Sequence, residues 1–469
     1  GSTIIARQTS TGVSTGTLTI RGGVFNAGAG GILSGGGTST LNLEGGTLNL
    51  RGAAIGSAAA PIGALNLQSG VLMNVREING GAPLLLAPTG SLTLAGVNTW
   101  SGPTVIGDGF TVGVADGASL APASLTVGLT SGSTAVLDGS GGSFTVSAGV
   151  LQGYGTVLGV VNVGSGAAIG AGAEGTTGVL TIGTPTSGGL RLLAGSSLLA
   201  DVGDLGVPPS DLIKVLNNAP GALTVAGPAT VKLKPLAAFG TGTYPIISYG
   251  VGGMVGFENL RLDMDTVPPY CSAGLANNTA ASQVEVKLTE GKRWYGATSA
   301  GVPNNRWDIG VTANWKTVFS ERFSTYQEGV PADLVLFDDL ADGFGLVTVN
   351  VTTNVAPSRI MVENSLRDYR FQGLGGIGGG ADLVKSGSGW LYLANTGSNN
   401  WTGGTKLRGG MIINERDNAL PTAGVLILGG SADAATYDLN GFNQTLAGLE
   451  GDPSGVGMDM ARVTNTQFA

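Results

Sequence analysis

Short stretches in which apolar and polar residues alternate recur along the chain, and glycine-rich turns separate them. The clearest stretch is residues 389–410, where Leu391 and Leu393 lie two apart and a polar turn follows. Alternation with a period of two is typical of a strand that has one buried face. The pattern of this stretch therefore predicts strand, turn, strand and turn.

The same arrangement occurs much earlier, in residues 90–109. The corresponding positions of the two copies are Leu92 and Leu391, Leu94 and Leu393, Trp100 and Trp401, Gly102 and Gly403, and Thr104 and Thr405. A short strand pair that recurs cannot bury its apolar face alone and has to stack on its neighbours. We interpret these residues as packing positions in a stack of repeated units.

The composition favours such a stack. Glycine accounts for 84 of 469 residues, charged residues for only 12%, and hydrophobic residues for 42%. An average globular chain is about one-quarter charged and about 7% glycine. Glycine at this density indicates many tight turns, and no segment shows sustained helical spacing with caps. The sequence therefore predicts an all-β fold, a solenoid whose coils stack as a β-helix.

The repeats also suggest how the chain is divided. We predict a first β-helix over residues 1–288, with a less repetitive closing section from about residue 185. Residues 289–345 break the pattern and are predicted to be an aromatic-rich connector. Its core residues would be Trp294, Trp307, Trp315 and Phe337. A second β-helical segment over residues 346–469 shows no clear stop, and the sequence leaves open that it continues further or into a partner.

Charge and residue types exclude several classes of function. The net charge is −8 and no basic cluster is present, so the sequence does not predict nucleic-acid binding. No apolar run is long enough for a membrane span. Histidine is absent, which removes Ser-His-Asp and Cys-His catalysis and histidine-ligated zinc. The single cysteine, Cys271, lacks a histidine partner, and we interpret it as a small packed residue.

Carboxylates need closer attention, because β-helices that cleave polysaccharides use clusters of aspartates. Candidate groups are Asp201, Asp204 and Asp211; Asp263 and Asp265; and Asp333, Asp338, Asp339 and Asp342. The last group offers oxygen ligands of the kind that Ca²⁺ takes, but it also fits a simple acidic turn. Because the ligand spacing of an EF-hand is missing, we favour the turn and expect neither a metal nor a cofactor.

Both Trp-[Ser/Thr]-Gly-x-Thr units, each preceded by Gly-x-Leu-x-Leu, resemble the autotransporter-associated β-strand repeat of bacterial surface proteins. The start of that repeat, Leu-x-Lys-x-Gly-x-Gly, is matched by Leu383, Lys385, Gly387 and Gly389. The resemblance implies a right-handed parallel β-helix that is exported to the bacterial cell surface. It brings no catalytic residues, because the repeat is structural.

Two functions remain open on this reading. We expect a non-enzymatic structural or adhesive extracellular protein that assembles with itself into a fibre or coat by stacking of β-helices, with host or surface glycans as further partners. An uncapped solenoid end offers unpaired backbone groups for such a contact. The alternative is a β-helical carbohydrate-active enzyme or tailspike-like depolymerase. Trp100 and Trp401 could stack on sugars, but their identical place in the repeat favours packing.

Overall fold

The fold is all-β, as the alternation predicts. A computed structural model describes residues 1–8, 12, 14–87, 89–203, 210–237 and 239–466 of the chain. Besides strands, these residues form three short 3-10 helices, at Phe257–Asn259, Met264–Thr266 and Met458–Met460. Clustering of contacts divides the chain into two compact units. The first unit is Gly1–Val267 with Leu275–Val286, and the second is Pro268–Gly274 with Lys287–Ala469.

Thirty strands lie before residue 291, and most are short. They are β1 (Thr3–Ile5), β2 (Thr15–Ile20), β3 (Val24–Asn26), β4 (Ile32–Ser34), β5 (Thr38–Asn49), β6 (Ala54–Ile55), β7 (Ala64–Met73), β8 (Glu77–Ile78), β9 (Leu84–Leu86), β10 (Gly90–Ala95), β11 (Val97–Asn98), β12 (Thr104–Ile106), β13 (Phe110–Val114), β14 (Ser119–Leu120), β15 (Ser124–Val127), β16 (Val136–Val146), β17 (Val150–Gly153), β18 (Thr156–Val163), β19 (Ala168–Ile169), β20 (Val179–Ile182), β21 (Gly189–Leu192), β22 (Ser197–Val202), β23 (Leu212–Val215), β24 (Leu223–Val225), β25 (Ala229–Pro235), β26 (Gly242–Tyr249), β27 (Met254–Val255), β28 (Leu260–Leu262), β29 (Cys271–Asn278) and β30 (Gln283–Glu290).

The remaining strands belong to the second unit. They are β31 (Lys292–Trp294), β32 (Arg306–Trp307), β33 (Trp315–Thr317), β34 (Phe323–Ser324), β35 (Leu334–Asp338), β36 (Leu346–Val351), β37 (Arg359–Glu363), β38 (Asp368–Gln372), β39 (Leu383–Ser386), β40 (Trp390–Leu393), β41 (Thr405–Leu407), β42 (Gly410–Asn414), β43 (Val425–Leu428), β44 (Ala435–Asp438), β45 (Gly448–Gly451) and β46 (Ala461–Thr464).

Long parallel sheets organise the first unit. A four-stranded sheet has the order β1-β4-β6-β8, and an eight-stranded sheet has the order β28-β25-β22-β19-β17-β15-β12-β9. In a further sheet, the long strand β5 pairs in parallel with both β2 and β3, and β16 pairs with both β13 and β14. The strands of these sheets therefore hydrogen-bond mainly to strands from the neighbouring repeat.

Like residues stack in register across these sheets. Leu41 and Leu43 of β5 lie opposite Leu65 and Leu67 of β7, and all but Leu65 are buried. Polar positions form ladders in the same way: Asn42 Nδ2 donates to Thr19 Oγ1 at 3.2 Å, and Asn66 Nδ2 donates to Asn42 Oδ1 at 2.8 Å. A second ladder joins Asn26, Asn49 and Asn74, with both hydrogen bonds at 3.1 Å. Each strand thus buries the apolar side chains of the neighbouring strand and forms hydrogen bonds with its amide side chains.

The second unit alternates between two sheets. One has the order β34-β33-β31-β35-β37-β39-β41-β43-β45, and the other has the order β32-β36-β38-β40-β42-β44-β46. From β35 onward, each strand pairs in parallel with the strand two further along the chain. For example, Leu391 of β40 pairs with Ile412 of β42, and Ile412 pairs with Tyr437 of β44. These residues form one column of the buried core.

Residues 289–345 contribute antiparallel strand pairs to the second unit. Strand β33 pairs antiparallel with β31 and with β34, at one edge of the nine-stranded sheet. The buried aromatic side chains of this segment belong to the same core cluster as Leu391 and Trp401; they are Trp294, Trp307, Trp315, Tyr326 and Phe337. The segment is therefore packed into the second unit, and its aromatic residues do not form a separate core.

Backbone turns stack closely enough that some glycines have no room for a side chain. A Cβ on Gly376 would lie 2.1 Å from the carbonyl oxygen of Ser398, in the turn one repeat further on. A Cβ on Gly380, four residues later in the same glycine-rich turn, would meet nothing within 4 Å. Neither glycine has a positive φ. Gly376 is therefore required by the close approach of two turns, whereas Gly380 reflects only the general preference of turns for glycine.

We predict that Gly376→Ala destabilises the second unit by about 1–3 kcal/mol, because the methyl group overlaps a backbone atom that cannot move aside. Gly380→Ala is the matched control and should be neutral or stabilising by about 0.4–1 kcal/mol. Five of the six tryptophans lie in this unit, so urea unfolding followed by tryptophan fluorescence reports mainly on it. Equal unfolding midpoints for the two variants would show that the turns do not stack as tightly as described.

Candidate functional site

The two recurring tryptophan units have the same internal hydrogen bond. Trp100 Nε1 donates to Thr104 Oγ1 at 2.8 Å, and Trp401 Nε1 donates to Thr405 Oγ1 at 3.2 Å. The tryptophans are only 3% and 1% exposed, and both threonines are buried. A buried indole N–H needs an acceptor, which the threonine four residues later provides. Neither ring has an exposed face that could stack on a sugar.

The glycine between each tryptophan and threonine allows close contact with the preceding turn. A Cβ on Gly102 would lie 2.3 Å from the carbonyl oxygen of Ala82, and a Cβ on Gly403 would lie 2.6 Å from that of Ala381. The leucines before each tryptophan are buried in the core of their unit; they are Leu92, Leu94, Leu391 and Leu393. Tryptophan, glycine and threonine therefore act together to fit one turn onto another.

The motif contains a further residue that the sequence analysis missed. Asn98 and Asn399 each lie two positions before the tryptophan of their unit, and both are buried. Asn98 Oδ1 accepts from the amide of Val75 at 3.2 Å, and Asn399 Oδ1 accepts from the amide of Ile377 at 3.0 Å. Each asparagine thus pairs with the backbone of the preceding repeat. The equal offset from the tryptophan in both copies is the signal that could have revealed it.

Lys385 occupies a core position between Val362 and Leu407 in the register of the nine-stranded sheet. Its Nζ donates to the carbonyl oxygens of Ser386, Gly387 and Gly409 at 2.8, 3.0 and 3.2 Å. Burial lowers the pKa of this ammonium to about 7, and the nearby charge of Asp368 opposes that shift. The three carbonyls accept all three ammonium hydrogens, so the charged form is fully hydrogen-bonded.

The predicted connector residues form a dense aromatic cluster. Trp294, Trp307, Trp315 and Phe337 are all fully buried. The ring centroids of Trp294 and Trp315 are 4.8 Å apart, and those of Trp307 and Trp315 are 5.5 Å apart. Unlike Trp100 and Trp401, these three indole N–H groups have no hydrogen-bond partner in the described part of the chain.

In the acidic turn of the second unit, most carboxylates are already hydrogen-bonded to other groups of the protein. Asp338 Oδ2 accepts from Arg293 Nε at 2.7 Å. Asp339 Oδ1 accepts from the amides of Leu366 and Arg367 at 2.9 and 3.1 Å. Asp342 is exposed. Among the residues that the structure describes, no group of three or more His, Cys, Asp or Glu side chains could hold a metal ion.

In the first unit, Asp201 and Asp211 are buried next to each other. Asp211 accepts from the amides of Gly178 and Asp201 at 2.9 and 3.1 Å, and Asp201 accepts from the amide of Gly175 at 2.7 Å. Burial raises the pKa of Asp211 to about 8 and also raises that of Asp201. Asp204 lies outside the described residues. The two described carboxylates are bound by backbone amides, and those of Gly175 and Gly178 lie 26 and 33 residues earlier in the chain than the carboxylates they bind.

The other residues considered for chemistry, Asp263 and Cys271, also have structural roles. Asp263 Oδ1 accepts from the amide of Asp265 at 3.1 Å and caps a 3-10 helix. Cys271 is a buried free thiol, and burial raises its pKa to about 11. A thiol with so high a pKa is a poor nucleophile at neutral pH.

Comparisons with models of protein families, with curated proteins and with solved structures found no match to this chain. The resemblance to the autotransporter-associated repeat therefore stays a prediction from the motif. In the described part of the chain, no helix has the length and apolar character needed to cross a membrane.

We predict that Thr405→Val destabilises the second unit by about 1–3 kcal/mol, because it keeps the shape of the side chain but leaves the indole N–H of Trp401 buried without an acceptor. Thr353 is exposed in a turn of the same unit, and Thr353→Val should change the free energy of unfolding by less than about 0.5 kcal/mol. Urea unfolding of both variants tests this. A Thr405→Val midpoint equal to that of the control would mean that the hydrogen bond contributes nothing.

Lys385 should make stability depend on pH. Its pKa is about 7 in the folded chain and about 10.4 when unfolded, so between these values the unfolded chain binds more protons. The contribution of Lys385 to the free energy of unfolding therefore rises as the pH increases from about 7 towards 10.4, and it is lost as the pH falls back to about 7.

Lys385→Met should lack this rise, so the difference in unfolding free energy between wild type and variant should change steadily from about pH 7 to about pH 9.5. The exposed Lys214, on β23 of the first unit, provides a control: Lys214→Met should keep the slope of the wild type. If the unfolding free energies of wild type and Lys385→Met ran parallel as the pH changes, the ammonium would stay charged in the folded chain throughout this range.

Proposed function

We propose that this chain is a non-enzymatic structural segment of a bacterial surface protein, and that its parallel sheets are the faces of right-handed β-helices in the two units. The observation that carries the proposal is the in-register parallel pairing of each strand with the neighbouring repeat. Stacked repeats with apolar columns and amide ladders are what a solenoid requires. The resemblance of the two tryptophan units to the autotransporter-associated repeat supports an extracellular location.

The described carboxylates support a structural role over the alternative of a polysaccharide-cleaving enzyme. Glycoside hydrolysis needs two carboxyl groups that flank a substrate in an accessible groove. Asp201 and Asp211 are buried and accept hydrogen bonds from backbone amides. Asp338 and Asp339 are held by an arginine and by backbone amides. These side chains stabilise turns and are poorly placed to meet a polymer.

We further propose that copies of the chain assemble by adding strands to open sheet edges. In the second unit, β45 pairs only with β43 and β46 only with β44 among the described residues. Val463 of β46 continues the column of the buried Tyr437 but is 45% exposed. Leu449 of β45 continues the column of the buried Leu426 and is 55% exposed.

One further parallel strand on each of the two sheets would bury both side chains. In the first unit, β1 and β2 are likewise outer strands of their pairings, so the edge of a second copy could supply such a strand. A head-to-tail contact of this kind generates a filament when its rotation does not close into a ring.

The test is negative-stain electron microscopy of the purified chain over a concentration series. We expect filaments or ordered sheets for the wild type and mostly isolated particles for Val463→Lys combined with Leu449→Lys, because a charge at each position opposes burial. Val302→Lys changes an exposed valine of the same unit away from these strands and should assemble like the wild type. Isolated wild-type particles at all concentrations, or normal filaments of the double variant, would contradict the proposal.

A further inference from the structure

A cleft in the first unit is lined by two arginines that have no acidic partner in the described part of the chain. It lies where the turns of three neighbouring repeats meet, and its volume is about 470 Å³. This volume falls within the range of about 300–1,000 Å³ that is typical of ligand pockets. The lining residues that matter here are Arg51, Gly52, Asn74, Arg76, Val97 and Thr99.

The two guanidinium groups are open to a ligand. Both arginines are exposed, and among the described residues neither guanidinium donates a hydrogen bond or forms an ion pair. The carboxylates of the first 100 residues are engaged elsewhere: Glu44 pairs with Arg21 at 2.8 Å, and Glu77 accepts from the hydroxyl of Ser101 at 2.7 Å. Two positive charges that line one cleft repel each other, and a bound anion removes that repulsion.

The backbone indicates that Arg51 is present for its side chain. The amide of Ala53 donates to the carbonyl oxygen of Leu50 at 2.9 Å, which closes a turn with Arg51 and Gly52 at its centre. Their φ angles are 51° and 84°. Positive φ at both central residues is the pattern of a type I′ turn, which strongly prefers Asn, Asp or Gly at the first of them. An arginine at this position strains the backbone and costs stability.

The next two repeats have the residues that such a backbone prefers. Asn49 pairs in register with Met73, and Met73 pairs with Ala95. The residues that directly follow Met73 and Ala95 are Asn74 and Gly96, whose φ angles are 55° and 68°. Asparagine and glycine adopt this left-handed conformation more readily than other residues. Since the turn itself would be better served by asparagine or glycine, the arginine is explained by a use for its guanidinium.

The other groups of the cleft define what accompanies the acid group of a ligand. The side chain of Val97 is 59% exposed and adds an apolar surface. Thr99 Oγ1 donates its hydrogen to the carbonyl oxygen of Arg76 at 3.2 Å, so it can still accept from a ligand hydroxyl. The ligand therefore needs an oxyanion for the arginines, a hydroxyl for Thr99 and a C–H surface for Val97.

We propose that this cleft binds the acid group of an anionic sugar, which is the carboxylate of a uronate or the sulfate of a sulfated sugar. One such ring carries an oxyanion, hydroxyl groups and a C–H face. Arg51 and Arg76 hold the oxyanion through charge-assisted hydrogen bonds. Thr99 accepts from a hydroxyl, and Val97 packs against the ring carbons. This binding does not depend on whether the chain assembles into filaments.

The experiment is saturation-transfer NMR of the full chain with glucuronate, glucose 6-sulfate and glucose at about 20 mM salt, where charges are weakly screened. We expect at least one of the two anions to bind, and their relative affinities identify the preferred acid group. Glucose, which lacks the acid group, should bind roughly 10-fold or more weakly. Arg51→Asn and Arg76→Gln should each weaken binding of the anion roughly 10-fold or more, because each removes a charge-assisted donor.

Arg51→Asn also separates binding from folding, because asparagine suits the turn. Its thermal unfolding midpoint should stay equal to that of the wild type or rise by about 1–3 °C while binding is lost. Arg191→Gln is the matched control, since Arg191 is an exposed arginine of the same unit that does not line the cleft; it should bind like the wild type. Failure of both anions to bind overturns the proposal. Equal binding of all three sugars, or full binding by both cleft variants, does so too.

Discussion

The fold depends on one constraint, which is that each strand can bury its apolar face only against the strand of the next repeat. Leu391, Ile412 and Tyr437 show this in the second unit, since each pairs in register with the next and all three are buried. Val463 follows them at the sheet edge and is half exposed. Burial in such a stack is therefore a property of neighbouring repeats, and an edge carries the apolar surface that one more strand would cover.

The same constraint governs the polar groups that enter the interior. A polar side chain between two repeats has lost water and must find its partner in its own turn or one repeat away. Trp401 uses the hydroxyl of Thr405, Asn399 uses the amide of Ile377, and Lys385 uses three carbonyls. Because these contacts require specific residues at specific offsets, the tryptophan unit recurs with its threonine and its asparagine unchanged.

How much of the structure could be predicted from the sequence depends on how far apart along the chain the interacting residues lie. Alternation with a period of two is local, so it predicted an all-β fold, and the parallel sheets confirm that coarse prediction. The handedness and the family remain predictions. Asn98 and Asn399 were missed because hydrophobic periodicity says nothing about which polar side chain accepts from a backbone amide more than 20 residues away. The antiparallel strands of residues 289–345 were missed for a related reason, since a dense aromatic segment does not reveal its pairing.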